Sequence, residues 1–176
     1  MDLRSEAQLA TVMPSLAVKV RAAAAVLEVA GTHLLVVSGL RTAAQQDALY
    51  AQGRNQPGHV VTNARAGQSM HNYGLAVDVV PYLSGGGGAL NWTVSTPQFQ
   101  AMVAAMKAQG LAWGGDWKGN LADYDHFQMS GLPASPSSAM QIDYAAVSGA
   151  RLDAIWSKVQ QGNYQSAGAP AGAVDA

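Results

Sequence analysis

The sequence predicts an α+β domain: a small antiparallel sheet packed with surrounding helices. Three observations carry this. Apolar stripes at helical spacing lie on both sides of the chain's middle. Short β-rich runs cluster within that middle. Those runs follow one another without the helical crossovers of about 10–15 residues that a parallel sheet requires.

Pro14 suits the first turn of a helix, where its missing N–H is harmless. Leu16, Val20, Ala23 and Leu27 then form one stripe through Ala30, and Gly31 stands where a C-terminal cap belongs. Leu34–Val37 reads as a short buried strand. Thr42 caps a second helix running to about Gln52, ended by Gly53. His59–Thr62, after the Pro57-Gly58 turn, reads as a weak strand, and Leu75–Tyr82 as a stronger one that Pro81 ends near an edge. Ser84–Gly88 holds four glycines in a row and is a surface loop. It lacks the spacing of a dinucleotide-binding turn. Asn91-Trp92-Thr93 matches a glycosylation acceptor, a pattern too short to carry weight. Thr96-Pro97 opens a third helix with Phe99, Met102, Val103 and Met106 on one face, stopped by Gly110. Asp125–Met129 is a last strand. Ser137–Gln161 is helical, broken near Gly149, with Leu152, Ile155, Trp156 and Val159 inward.

A length of 176 residues fits one domain over residues 1–165, followed by an Ala/Gly/Pro-rich tail over 166–176. Charged residues are 12% of the chain and hydrophobic ones 49%; the body of the chain is no charge-driven disordered segment. The formal net charge of −1 leaves no basic surplus for nucleic acid. With no cysteine, disulfides, thiolate nucleophiles and cysteine-held zinc are excluded. No run approaches the ~18 apolar residues of a membrane span. The start, Met1-Asp2-Leu3-Arg4-Ser5-Glu6, does not read as a signal peptide, because acidic residues stand where the apolar run would begin. A monomer made in the cytoplasm is expected, and work outside the cell would require its release.

Four histidines are present. His33, beside an apolar run, reads as structural, and His59, beside Pro57-Gly58, as a surface residue. His71 and His126 sit in polar contexts that packing does not explain. Gly74 permits a turn between His71 and the strand after it. On that strand Ala76, Asp78 and Val80 share one face, and Val77 and Val79 the other. Asp78 is therefore a carboxylate in an apolar strand, costly to bury without a cation, a metal or several donors. On the last strand His126 and Gln128 share a face. If the two strands pair, Asp78 and His126 lie side by side, and the turn brings back His71. Two imidazoles, a carboxylate and an open fourth position describe a catalytic zinc site, with one Zn²⁺ per chain. A base is needed beside the metal's water; Asp123, three residues before His126, is placed for it. Asp125 competes, but strand alternation points it away from the ligand face.

Ser69-x-His71-x-x-Gly74-x-Ala76-x-Asp78, followed by Asp123-x-x-His126, resembles the signature of zinc peptidases related to D-alanyl-D-alanine carboxypeptidases and dipeptidases. The variant His71–Asp78 with His126-Phe127-Gln128 is closer to the L-alanyl-D-glutamate endopeptidases of phage endolysins and some bacterial autolysins. Ser38–Thr42 with Gln45, the stretch from Gly53 to Ala64, and Trp113-Gly114-Gly115-Asp116-Trp117 also look like that group. The resemblance implies that His71, Asp78 and His126 hold zinc and that Asp123 is the general base. It implies that Arg41 stabilises the oxyanion and that Gln45 and Ser69 bind substrate. Asp123 stands where many relatives carry Glu, and Asp125 where the endopeptidase branch often has Pro, so the choice of base between them stays open. The implied substrate is the peptidoglycan stem peptide, cut at L-alanyl-D-glutamate by an antimicrobial lysis enzyme that reaches the wall after release. An L,D- or D,D-carboxypeptidase on the same scaffold is the near alternative. A non-catalytic zinc-binding module is the distant one.

Overall fold

The computed structural model describes residues 1–118, 122–147 and 152–165. The expected tail over 166–176, and the helix break near Gly149, lie outside the described residues.

The chain runs α1 (Leu3–Leu9), α2 (Pro14–Val29), β1 (Leu34–Ser38), α3 (Ala43–Ala51), a 3₁₀ turn (Met70–Tyr73) and β2 (Ala76–Pro81). It continues with α4 (Pro97–Ala108), β3 (Leu111–Trp113), a second 3₁₀ turn (Gly114–Asp116), β4 (His126–Met129), α5 (Ser138–Val147) and α6 (Asp153–Gln160). The four strands form one antiparallel sheet in the order β1-β2-β4-β3, so the α+β expectation holds. β2 is interior rather than an edge strand, and Pro81 is its last residue, beyond the end of its pairing with β4.

Local chemistry sets most boundaries. Pro14 opens α2, and Gly31 follows its end at φ +79°. Thr42 caps α3 through a reciprocal capping box with Gln45, and Thr96 caps α4 with Pro97 in the first turn. The sheet is two-faced. Val77, Val79, Phe127 and Met129 join the apolar cluster that contains Leu16, Val20, Phe99, Met102 and Met106 from α2 and α4. Register sets Val77 opposite Phe127 and Asp78 opposite His126, so the alternate face carries Ala76, Asp78, His126 and Gln128.

One expected strand is corrected, and two elements appear that the sequence pattern does not announce. His59–Thr62 is not a strand. Among the described residues no strand pairs with it, and Val60 and Val61 are exposed. Arg54 ties this stretch down instead, donating to the Thr62 carbonyl at 2.9 Å and to Asn63 Oδ1 at 2.7 Å. α1 went unread because only Ser5 and Leu9 turn inward, which leaves no apolar period. Asp2 caps it, accepting from the Ser5 N–H, and the Ser5 hydroxyl accepts from the Val36 N–H of β1. β3 has three residues, below the length at which a period can be read. The glycosylation pattern fails as well: Asn91 is buried and its amide donates to Thr96 Oγ1 at 2.9 Å.

Candidate metal centre and cleft

A cleft of about 680 Å³ opens on the polar face of the sheet. Arg41, Ser69, His71, Asp78, Asp123, Asp125 and His126 all line it. Asp78 and His126 reach it from paired strands. His71 arrives on the 3₁₀ turn, which Ser69 caps and Gly74 closes at φ +63°. A Cβ at Gly74 would stand 3.1 Å from Trp156 Cζ2 and 3.3 Å from Val12 Cα, so the return of His71 toward the sheet depends on glycine.

His71 Nε2 lies 3.0 Å from Asp78 Oδ1 and 3.2 Å from His126 Nδ1, and His126 Nδ1 lies 3.5 Å from the same carboxylate oxygen. The outer ring nitrogens are committed. His71 Nδ1 faces the Gly39 carbonyl at 2.8 Å, and His126 Nε2 faces Gln128 Oε1 at 3.1 Å. Both partners are oxygen acceptors, so the outer nitrogens carry the N–H and the inner ones present lone pairs. Two imidazole lone pairs and a carboxylate oxygen thus converge with no proton of their own between them, all within 4.8 Å of one another. A cation satisfies that arrangement, and the donor set of two nitrogens and one oxygen suits a transition metal with positions left open. His71, Asp78 and His126 therefore fit a metal.

Without one, protons do part of that work. Burial would raise the Asp78 carboxyl, but the charge of His71 and hydrogen bonds from both histidines outweigh it and hold the group well below the usual carboxylate range. Burial would lower His126, but hydrogen bonding and attraction to Asp78 raise it.

Around the ligands stands a second layer. Arg41 donates to Asp78 Oδ2 at 3.2 Å, to Gln46 Oε1 at 3.0 Å and to Ser38 Oγ at 3.3 Å. Asn72 is buried; its amide donates to the Arg41 carbonyl at 2.8 Å while its oxygen accepts from Gly67 N–H at 3.0 Å. Of these supporting residues only Gln46 is without any signal in the sequence; Ser38, Asn72 and Gln128 stand in the motifs that carry the resemblance, but no role is read for them.

Gln45 does not line the cleft. Its side-chain oxygen accepts from the Thr42 N–H at 2.8 Å in the capping box, which leaves its neighbour Gln46 to turn inward. Asp125 is also corrected. It precedes β4, so strand alternation does not govern it; its side chain shares the cleft and hydrogen-bonds with Asp123. Burial, the Asp78 charge and that hydrogen bond push the Asp125 carboxyl up to about 7. Gly114 holds Asp123 close: its carbonyl accepts from Asp123 N–H at 3.1 Å, and a Cβ there would collide with the Asp123 carbonyl oxygen. Trp117 lines the cleft with its ring centroid 5.0 Å from that of His126. Trp113 serves the frame, donating from its indole N–H to the Tyr124 carbonyl at 2.7 Å. His33 and His59 lie outside the cleft.

Residues 62–129 match the family described as D-alanyl-D-alanine carboxypeptidase. This segment contains all three candidate ligands and both aspartates. The chain is 39% identical over 106 residues to the peptidoglycan L-alanyl-D-glutamate endopeptidase CwlK of Bacillus subtilis (strain 168), covering 56% of this chain and 62% of that relative. The chain thus spans under two thirds of that relative's length. Among solved structures it is similar to the L-Ala D-Glu endopeptidase ChiX of Serratia marcescens, with a TM-score of 0.49 and 26% identity, covering 73% of this chain and 87% of that one.

Proposed function

We propose that this chain is a zinc-dependent peptidase that cuts the peptidoglycan stem peptide at the L-alanyl-D-glutamate bond. The observation that carries the reading is the convergence of His71 Nε2, His126 Nδ1 and a carboxylate oxygen of Asp78 at the floor of a polar cleft. The 39% identity to a relative of that activity supports the bond assignment. The metal held there supplies Lewis acidity toward water and toward a carbonyl oxygen.

The chain's own groups do the rest. Asp123, on the exposed lip of the cleft, takes the proton of the attacking water and delivers it to the leaving amine. Asp123 stands on the exposed side of the cleft three residues before His126, whereas Asp125 is the more enclosed of the two and its carboxyl is pushed up by burial and the Asp78 charge; the base is therefore assigned to Asp123. Arg41 stands beside Asp78 with its guanidinium held by three partners, and we assign it to the negative charge that develops on the scissile carbonyl oxygen. Ser69, at the cleft wall, is assigned to the substrate backbone. No helix among the described residues is long and apolar enough to cross a membrane. We assign the enzyme to the endolysin type, which meets the wall after release.

Mass spectrometry of purified peptidoglycan after incubation tests the assignment. The expected products are peptides with a new D-glutamate N-terminus, formed with zinc and not with a chelator. Release of terminal D-alanine alone would make it a carboxypeptidase; zinc binding with no product would make it a recognition module.

A further inference from the structure

We infer that Gln128 is a positioning residue that selects Nδ1 of His126 as the metal-binding nitrogen. The inference rests on the metal site proposed above. Gln128 is buried at 1% exposure and lies on β4 two residues from His126, on the same face of the sheet. Its cross-strand neighbours are Ala76 on β2 and Ala112 on β3, whose small side chains leave room for the amide.

The argument is one of hydrogen-bond polarity. The Pro133 carbonyl can only accept, and it takes an N–H from the Gln128 amide at 2.9 Å. That bond orients the amide and turns Oε1 toward the His126 ring, 3.1 Å from Nε2. An amide oxygen also can only accept, so the imidazole must place its N–H on Nε2. The lone pair is then on Nδ1, the nitrogen 3.2 Å from His71 Nε2. The backbone carbonyl of residue 133 thus dictates, through one side chain, which nitrogen of His126 faces the metal. His71 obtains the same result directly from the Gly39 carbonyl, without a side chain between. Gln128 is therefore the replaceable element in the ligand set's orientation.

Two substitutions separate this role from plain packing. Gln128→Met removes both the acceptor for His126 and the donor for Pro133. Gln128→Glu keeps an acceptor for His126 and loses only the donor. Zinc affinity is read by chelator competition, fold stability by urea denaturation, and the His126 tautomer by long-range ¹H–¹⁵N spectra of the zinc-loaded and of the metal-free protein at alkaline pH. Gln128→Met is expected to weaken zinc binding about 10–100-fold, the usual loss for a partner behind a ligand, and to lose the pure Nε2–H tautomer. Gln128→Glu is expected to keep both that tautomer and wild-type zinc affinity while losing stability. Equal loss of zinc affinity in the two variants, or a persistent Nε2–H tautomer in Gln128→Met, would overturn the inference. A wild-type protein that showed Nε2–H but bound no zinc would refute the metal reading and leave the tautomer finding intact.

Discussion

Replacing Arg41 by Met should make the protein bind zinc more tightly while it loses turnover. Arg41 and Asp78 are 16% and 14% exposed at their side chains, and the guanidinium is 3.2 Å from Oδ2. In the metal-free protein His71 and His126 already counter the Asp78 charge, so losing Arg41 costs mainly the orphaned oxygen of Gln46, a residue at 0% exposure, about 1–3 kcal/mol with or without metal. What differs between the two states is the repulsion between the guanidinium and a cation on the same carboxylate, on the order of a few kcal/mol at an effective dielectric of about 20. Discounted for partial exposure, roughly 1.4 kcal/mol remains, a tenfold gain in zinc affinity. The cause is the removal of a fixed positive charge beside a cation site. The assays are urea denaturation with and without zinc, chelator competition, and steady-state kinetics on a soluble stem peptide. Turnover should fall about 10²–10³-fold for loss of an oxyanion donor, and Arg41→Lys should recover part of it, since a point charge lacks the planar fork. Weaker zinc binding in Arg41→Met would show that Arg41 serves mainly to hold Asp78 in place, and the electrostatic argument would fail.

Three further outcomes are expected. Asp123→Asn should retain zinc and fold while kcat drops about 10²–10⁴-fold, with Asp125→Asn milder; the reverse order in kinetics would transfer the base to Asp125. The metal-free protein should have a lower urea midpoint at about pH 8 than at about pH 5. His126 is raised, so its contribution is full below an unfolded pKa of about 6.5 and is lost as pH climbs through the folded value. Asp125 is pushed up to about 7, so the folded state loses ground above an unfolded value of about 3.9, and Asp125→Asn should flatten the slope; an unchanged slope counts against that assignment. Gly74→Ala places a Cβ at φ +63° against Trp156 and Val12, and the left-handed backbone alone costs about 1–2 kcal/mol. Calorimetry should show Tm lower by roughly 5 °C, and an unchanged Tm would mean the turn relaxes freely.

The features legible in the sequence were those that depend on near neighbours. Thr42, Thr96 and Pro14 mark helix starts because capping and the missing proline N–H act within one turn. The ligand trio was legible because alternation along β2 and β4 puts Asp78 and His126 on matching faces, and the single glycine at 74 allows His71 to return. Reading failed where the same local rules were applied past their range. Alternation does not reach Asp125, which lies before the strand begins. The role for Gln45 came from the resemblance and not from a local rule; the polar residue of α3 that faces the site is Gln46, since Gln45 is already used in the cap.

By itself, then, the sequence determined helices α2, α3 and α4, the antiparallel character of the sheet and the identity of three residues able to share a cation, because each follows from periodicity, capping or spacing. Only the tertiary structure decided the strand order β1-β2-β4-β3, the sharing of one cleft by Asp123 and Asp125, and the commitment of Arg41 to Asp78. It also decided which nitrogen of each histidine faces inward. The physical reason is that hydrogen-bond direction depends on acceptors distant in the chain, such as the Gly39 carbonyl 32 residues from His71, and no local pattern records where those will lie.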